Sequence, residues 1–297
     1  MSAYLALCRF PAVFTALADV LLGLALAGAL AGPRPGAVLA ALAASAGLYL
    51  GGMVLNDLLD REKDAAERPS RPIPSGRVSV AAAWRFYAAL TLGGLACAAF
   101  GGTASMTVGA SLVGMIWLYD GPLKRTPPGP AAMGACRSLN VLLAAAAGGG
   151  WAAARDPATL AAAGVLGIYV AGLTAFARTE AVESSKARLR LSSLVVNAAL
   201  VGIVAWGAVY GRGYRSPVPL VAFGAVALLI NRRLAAAVRD RRPPAVGAAV
   251  RQMILSIPVL DATLMVFSRA EMPAAWAAAC ALLVVPAATA GRVLKIT

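Results

Sequence analysis

The sequence predicts an all-α protein, a polytopic transmembrane helical bundle of nine or ten spans. Two observations carry that reading. First, 60% of the 297 residues are hydrophobic and only 13% are charged, whereas soluble domains carry about 25% charged residues. A mean hydropathy of +0.75 exceeds what a soluble core can hide. Second, apolar runs close to bilayer length recur between clusters of Pro, Gly and Arg.

Taken in order, the runs lie near 10–31, 36–56, 79–100, 103–120, 131–153, 158–177, 190–210, 217–237, 247–268 and 273–292. The first is too long for a secretory h-region and reads as a span. The last is the weakest, because Glu271 and Pro273 leave only a short turn before it. Abundant Ala and Gly suit spans that approach closely, since packing in lipid depends on van der Waals contact between small residues. One membrane domain over residues 1–297 is expected, with no separate soluble domain. If the N-terminus is cytoplasmic, every Lys and Arg except Arg34, Arg155, Arg212, Arg215 and Arg269 falls at the cytoplasmic face, as the positive-inside rule requires.

The net charge of +14 does not indicate nucleic acid, because the basic residues are dispersed among apolar runs. Cys8, Cys97, Cys136 and Cys280 form no CxxC pair, and His is absent. Histidine general bases and histidine metal sites are thereby excluded.

Four of the 13 acidic residues sit in one stretch, NDLLDREKD, at the cytoplasmic end of the second run. Asp57, Asp60 and Asp64 have the spacing of one helix face, and neighbouring carboxylates repel unless a cation joins them. Mg²⁺ favours oxygen ligands and commonly binds through one or two carboxylates plus substrate phosphates. The segment also fits a solvated, mixed-charge helix end. Next come Arg68, Arg71 and Arg77 in a proline-broken loop suited to wrapping a polyanion. The loops LYDGPLKRTPPGP and FARTEAVESSKAR return to the same face and add Tyr119, Asp120, Lys124 and Arg125, then Arg178, Glu180, Glu183 and Lys186. Two carboxylate clusters with cations between them describe a two-metal diphosphate site.

On NDxxDxxxD at Asn56, Asp57, Asp60 and Asp64, RPIPSG at 71–76 and YDGPLKR at 119–125, the chain resembles the UbiA superfamily of intramembrane prenyltransferases. The resemblance implies a helical bundle of about nine spans around a central, lipid-open cavity, an integral membrane location, and a Mg²⁺-dependent transfer of a prenyl group from a prenyl diphosphate to an aromatic or other lipophilic acceptor. The membrane expected is the bacterial inner membrane, with the active-site loops cytoplasmic. In this reading Asp57, Asp60 and Asp64 hold one Mg²⁺ and Glu180 and Glu183 a second, with Asn56, Arg71, Lys124 and Arg125 on the diphosphate. Tyr119 stabilises an allylic cation through its ring, or serves as an interfacial anchor. Two features depart from the family pattern: TEAVESSK has glutamates where a second Asp-rich motif is usual, and a tenth span is possible. Together with MGACRSLN at 133–140, that altered motif is more similar to the UbiA-like proteins of bacterial ebo gene clusters.

Asp19, Asp261, Arg137 and Asn140 lie within spans and are candidates for acceptor binding or proton removal. Asp19 and Asp261 are equally readable as carboxyls paired with a buried Arg, and Asn140 as a hydrogen bond between helices. The competing function is a non-catalytic carrier of an isoprenoid or small metabolite, although paired interrupted repeats of the transporter kind are not evident.

Overall fold

The computed structural model describes residues 2–32, 35–178, 183–211, 217–268 and 271–293. Each predicted run is helical. A short helix α1 (Ser2–Leu7) and a 3₁₀ turn precede α2 (Val13–Leu26), followed by α3 (Pro35–Leu59), α4 (Arg61–Glu67), α5 (Val80–Phe100), α6 (Thr103–Leu118) and α7 (Gly129–Ala154). Then come α8 (Pro157–Ala177), α9 (Lys186–Tyr210), α10 (Pro217–Arg239), α11 (Pro243–Phe267), α12 (Ala274–Leu282) and α13 (Val284–Val293). By length and composition, seven of the described helices can cross a membrane. The expected tenth span is instead two short helices with a break at Leu283.

Local chemistry sets the helix starts. Proline opens α3, α8, α10 and α11, where its missing N–H costs nothing. Ser79 caps α5 by accepting from the Ala82 N–H at 3.2 Å, and Asp156 caps α8 by accepting from Thr159 at 3.0 Å. At Gly150 in α7 the backbone has φ 64°, a conformation that favours glycine, and the helix kinks there.

Helices α2, α3, α5, α6, α7, α8, α9, α10 and α11 each pack on the next in this order, and α11 packs back on α2, closing a ring. Inside the ring α2 also lies against α7. Helices α12 and α13 pack outside against α2 and α11. The outer surface is apolar: Leu92, Phe100, Leu194, Val201 and Val221 are all exposed, as side chains facing lipid are.

Small residues allow the tightest crossings. Gly134 of α7 lies directly against the Gly167 carbonyl of α8, and a Cβ at Gly134 would collide with that oxygen. Replacing Gly134 with Val is expected to destabilise the bundle by about 1–3 kcal/mol, whereas Gly164→Ala, which faces open space, should not. Thermal unfolding of the two variants in detergent checks this.

Candidate active site

The ring encloses a chamber of about 450 Å³, within the range of small-molecule sites. Its body is apolar, lined by Leu112, Ile116, Met133, Val170, Leu173, Ile254 and Ile257. One end is charged and is built from Arg9, Asn56, Asp60, Asp64, Arg71, Asp120 and Lys124.

Three sequence-distant segments build that end. At the C-terminus of α3 the helical bonding runs on through Asp60 into α4, since the Asp60 N–H bonds to the Asn56 carbonyl at 3.0 Å and the Asp64 N–H to the Asp60 carbonyl at 2.8 Å. Asp57 and Asp64 therefore share a face, and Arg71 bridges them with Nη1 at 3.1 Å and 2.5 Å. Arg71 is aimed by a compact loop in which Val78 N–H bonds to the Pro72 carbonyl and Ile73 and Val78 are buried against Leu7, Val54 and Leu58. Asp60 turns instead to the second segment, pairing with Lys124 and, at 3.1 Å, with Arg125. Tyr119 to Leu123 form a single π-helical turn that sets Tyr119, Asp120 and Lys124 on the chamber wall. Arg178, at the end of α8, ties this turn down by donating to the carbonyls of Lys124 and Thr126.

The third segment is the turn at Arg9, which has φ 46° and ψ 48°, an uncommon backbone for a residue with a side chain. Arg9 reaches Asp57 at 3.1 Å and Asn56 at 3.3 Å. Asn56 then donates to Asp120 at 2.6 Å, and Lys124 stands 3.9 Å from the same Asp120 oxygen. Arg9 and Asp120 thus belong to the site, although no motif in the sequence singles out Arg9. Asp120 was signalled by its place in YDGPLKR, on the same membrane face as NDLLDREKD.

Titration follows from these contacts. Burial pushes the Asp120 carboxyl up to about 6, against the pull of the Asn56 hydrogen bond and Lys124. Burial and then Asp120 push the Tyr119 phenol up to about 12, so it keeps its proton. Burial opposes ionisation of Asp60 too, but Lys124 and then Arg125 outweigh it and hold the carboxyl below its ordinary range.

The deep end of the chamber carries Tyr49, Arg137 and Asn140. Asp19 is fully buried behind it and accepts from Arg137 at 2.8 Å and Asn140 at 2.9 Å. Asn140 also donates to the Ala16 carbonyl at 2.9 Å and accepts from Ser45 at 2.7 Å, so its amide is committed to the helices around it. Asp261 is fully buried beside Asp19 and outside the lining. Glu183 pairs with Arg241 at 2.8 Å on an exposed surface and is not part of the chamber wall. Glu180 lies outside the described residues.

Residues 16–257 match the UbiA prenyltransferase family. The chain belongs to that family. Among curated proteins it resembles the digeranylgeranylglyceryl phosphate synthase of Methanopyrus kandleri, 38% identical over 127 residues, or 43% of this chain and 46% of the relative. It likewise resembles the synthase of that name from Methanoregula boonei, 41% identical over 115 residues, or 37% and 40% of the two chains. These matches span under half the length of each relative. In fold it is similar to a UbiA homologue from Aeropyrum pernix K1 in its apo state, with TM-score 0.70, 21% identity, and 86% and 97% of the two chains covered. A UbiA homologue from Archaeoglobus fulgidus bound to GPP and Mg²⁺ gives TM-score 0.65 at 16% identity, covering 94% and 99%. The UbiA fold and its integral membrane setting follow.

The raised Asp120 pKa fixes a sign. A carboxyl that is easier to protonate when folded adds stability below its ordinary value of 3.8, and that contribution is lost as pH rises through about 6. In metal-free protein, the melting temperature of wild type relative to Asp120→Asn should therefore fall between about pH 4 and 6 and level off above that. Parallel melting curves of the two proteins across that range measure the difference.

Proposed function

We propose that this protein is a Mg²⁺-dependent intramembrane prenyltransferase that moves a prenyl group from a prenyl diphosphate to a lipophilic acceptor. The observation that carries the reading is the chamber itself: an apolar body of prenyl character capped by one charged end in which cations and carboxylates interlock. The names of the curated relatives, and a neighbour of the same fold bound to GPP and Mg²⁺, support it.

The residues present fit the ion. Asn56, Asp57, Asp60, Asp64 and Asp120 offer only hard oxygen donors, with no thiol or imidazole among them. Among the described residues no three carboxylates converge on one point; each of the three motif aspartates is instead matched to an Arg or Lys. Mg²⁺ needs only one or two carboxylates when substrate phosphates complete its shell, so Asp57, Asp60 and Asp64 are the holders in this reading. When bound, the ion neutralises charge that develops on the departing diphosphate.

The chain's own groups do the rest. Lys124, Arg125 and Arg71 sit where the diphosphate charge grows as the carbon–oxygen bond breaks, so they favour the transition state over the bound substrate. Tyr119, which keeps its proton, turns a neutral ring to the chamber and stabilises an allylic cation. The apolar walls keep water from that cation. The acceptor enters the deep end beside Arg137, which Asp19, Asn140 and Asp261 support. In the orientation proposed, this charged end faces the cytoplasm of a bacterial inner membrane.

Purified protein in lipid should release pyrophosphate or form prenylated product from a panel of prenyl diphosphates only with Mg²⁺. Lys124→Ala should slow release by about 10²–10³-fold, and Asp60→Ala should abolish it. Retained turnover in Asp60→Ala would remove that aspartate from the site, and tight prenyl diphosphate binding without any turnover would favour a carrier. Glu183→Gln tests the second ion that the family resemblance implies: a steeper Mg²⁺ requirement supports it, and an unchanged Mg²⁺ dependence, expected from the pairing of Glu183 with Arg241, assigns the site to the motif aspartates alone.

A further inference from the structure

Resting on that reading, we propose that the deep end of the chamber is an acceptor site built from Arg137 and Tyr49 that selects an uncharged oxygen-bearing head, such as a phenol, alcohol or quinone carbonyl, over a carboxylate.

Two kinds of observation lead there. The first is which polar groups at the floor remain free. The Asn140 amide is spent on Ala16, Asp19 and Ser45, and Thr15 accepts from Arg137 while donating to the Ala12 carbonyl. Arg137 uses Nη1 on Asp19 and Nη2 on Thr15, leaving Nε without a partner among the described residues. Tyr49 lies on the chamber wall near Arg9, Arg137 and Asp19, and its hydroxyl has no hydrogen-bond partner among the described residues. Arg137 therefore offers donors, and Tyr49 offers a donor or an acceptor, to whatever fills the space between them.

The second is the charge of the floor. Asp19 and Asp261 are fully buried and stand in side-chain contact. With both carboxylates charged, Asp19 Oδ1 and both oxygens of Asp261 have no hydrogen-bond donor, a costly state for buried polar atoms. Besides Asn140, the groups facing the pair are Arg137 of α7, Tyr49 of α3 and the Cys280 thiol of α12, and that thiol points at the carbonyls of Ala18 and Pro258. One proton shared between Asp19 Oδ1 and one Asp261 oxygen supplies a donor to that contact and leaves the pair a single negative charge. The guanidinium of Arg137 balances that charge, and the floor is neutral. A carboxylate acceptor would then place an uncompensated negative charge among Met133, Val170, Leu173 and Ile257, whereas a neutral oxygen accepts from Arg137 with no such penalty.

The test is equilibrium binding to purified protein in lipid nanodiscs, with 4-hydroxybenzyl alcohol and 4-hydroxybenzoate as probes of equal ring size. Binding is read by thermal shift, and prenyl diphosphate binding with Mg²⁺ serves as the folding control. The alcohol is expected to bind wild type at least about tenfold more tightly than the benzoate, and Arg137→Gln or Tyr49→Phe should each weaken the alcohol about tenfold. The double variant Asp19→Asn/Asp261→Asn, which leaves no carboxyl to balance the guanidinium, should reverse the preference toward the benzoate. Asp261→Asn, which leaves the charge on Asp19 facing Arg137, should not. Benzoate binding to wild type as tightly as the alcohol would overturn the proposal, as would alcohol affinity unchanged in both Arg137→Gln and Tyr49→Phe. A reversal of preference in Asp261→Asn would overturn the shared proton. Because binding is read without turnover, loss of the transferase reading would show as selective binding with no prenylated product, separate from failure here.

Discussion

Charge compensation in a low-dielectric bundle is the constraint on which the rest depends. A carboxylate taken from water is costly unless cations and donors meet it. The motif carboxylates at the charged end accordingly belong to sets drawn from several segments. Arg71 joins Asp57 to Asp64, Lys124 and Arg125 hold Asp60, and Arg9 with Asn56 extends the network to Asp120. These contacts fix the relative positions of α3, α4, the π-helical turn and the N-terminal turn. The site and the fold at this end are thus one object, and an entering polyanion with its metal ion exchanges partners with groups already in place.

The chamber has two polar ends with different chemistry. At the mouth, cations and carboxylates are numerous and partly accessible, as suits a ligand that brings several negative charges and a divalent ion. At the floor a single guanidinium is matched to one buried carboxylate pair, and most of the hydrogen-bonding capacity is spent internally. The apolar wall between them holds a chain and an acceptor apart from water. Close crossings at small residues such as Gly134 and Gly167 allow helices α7 and α8 to present both ends of this gradient.

Much of this was legible in the residues. NDLLDREKD and YDGPLKR read as segments gathered on one face, and Asp60 does meet Lys124 and Arg125. Of the alternatives weighed for the intramembrane polar residues, the pairing of Asp19 with a buried Arg and the interhelical hydrogen bonds of Asn140 are both present. Arg9 and Tyr49 were not singled out, because each lies in an unremarkable apolar run and gains significance only from an uncommon backbone turn or a neighbour more than 80 positions away. Nor could spacing show that Glu183 turns to Arg241 and away from the chamber.

By itself the sequence determined what must be apolar, what must be helical, and which charges gather at one end, because these follow from composition and from period and parity along the chain. The tertiary structure decided which carboxylate meets which cation and which hydrogen-bonding groups remain free for a ligand. Those choices depend on distances between helices far apart in sequence, and no local pattern encodes them.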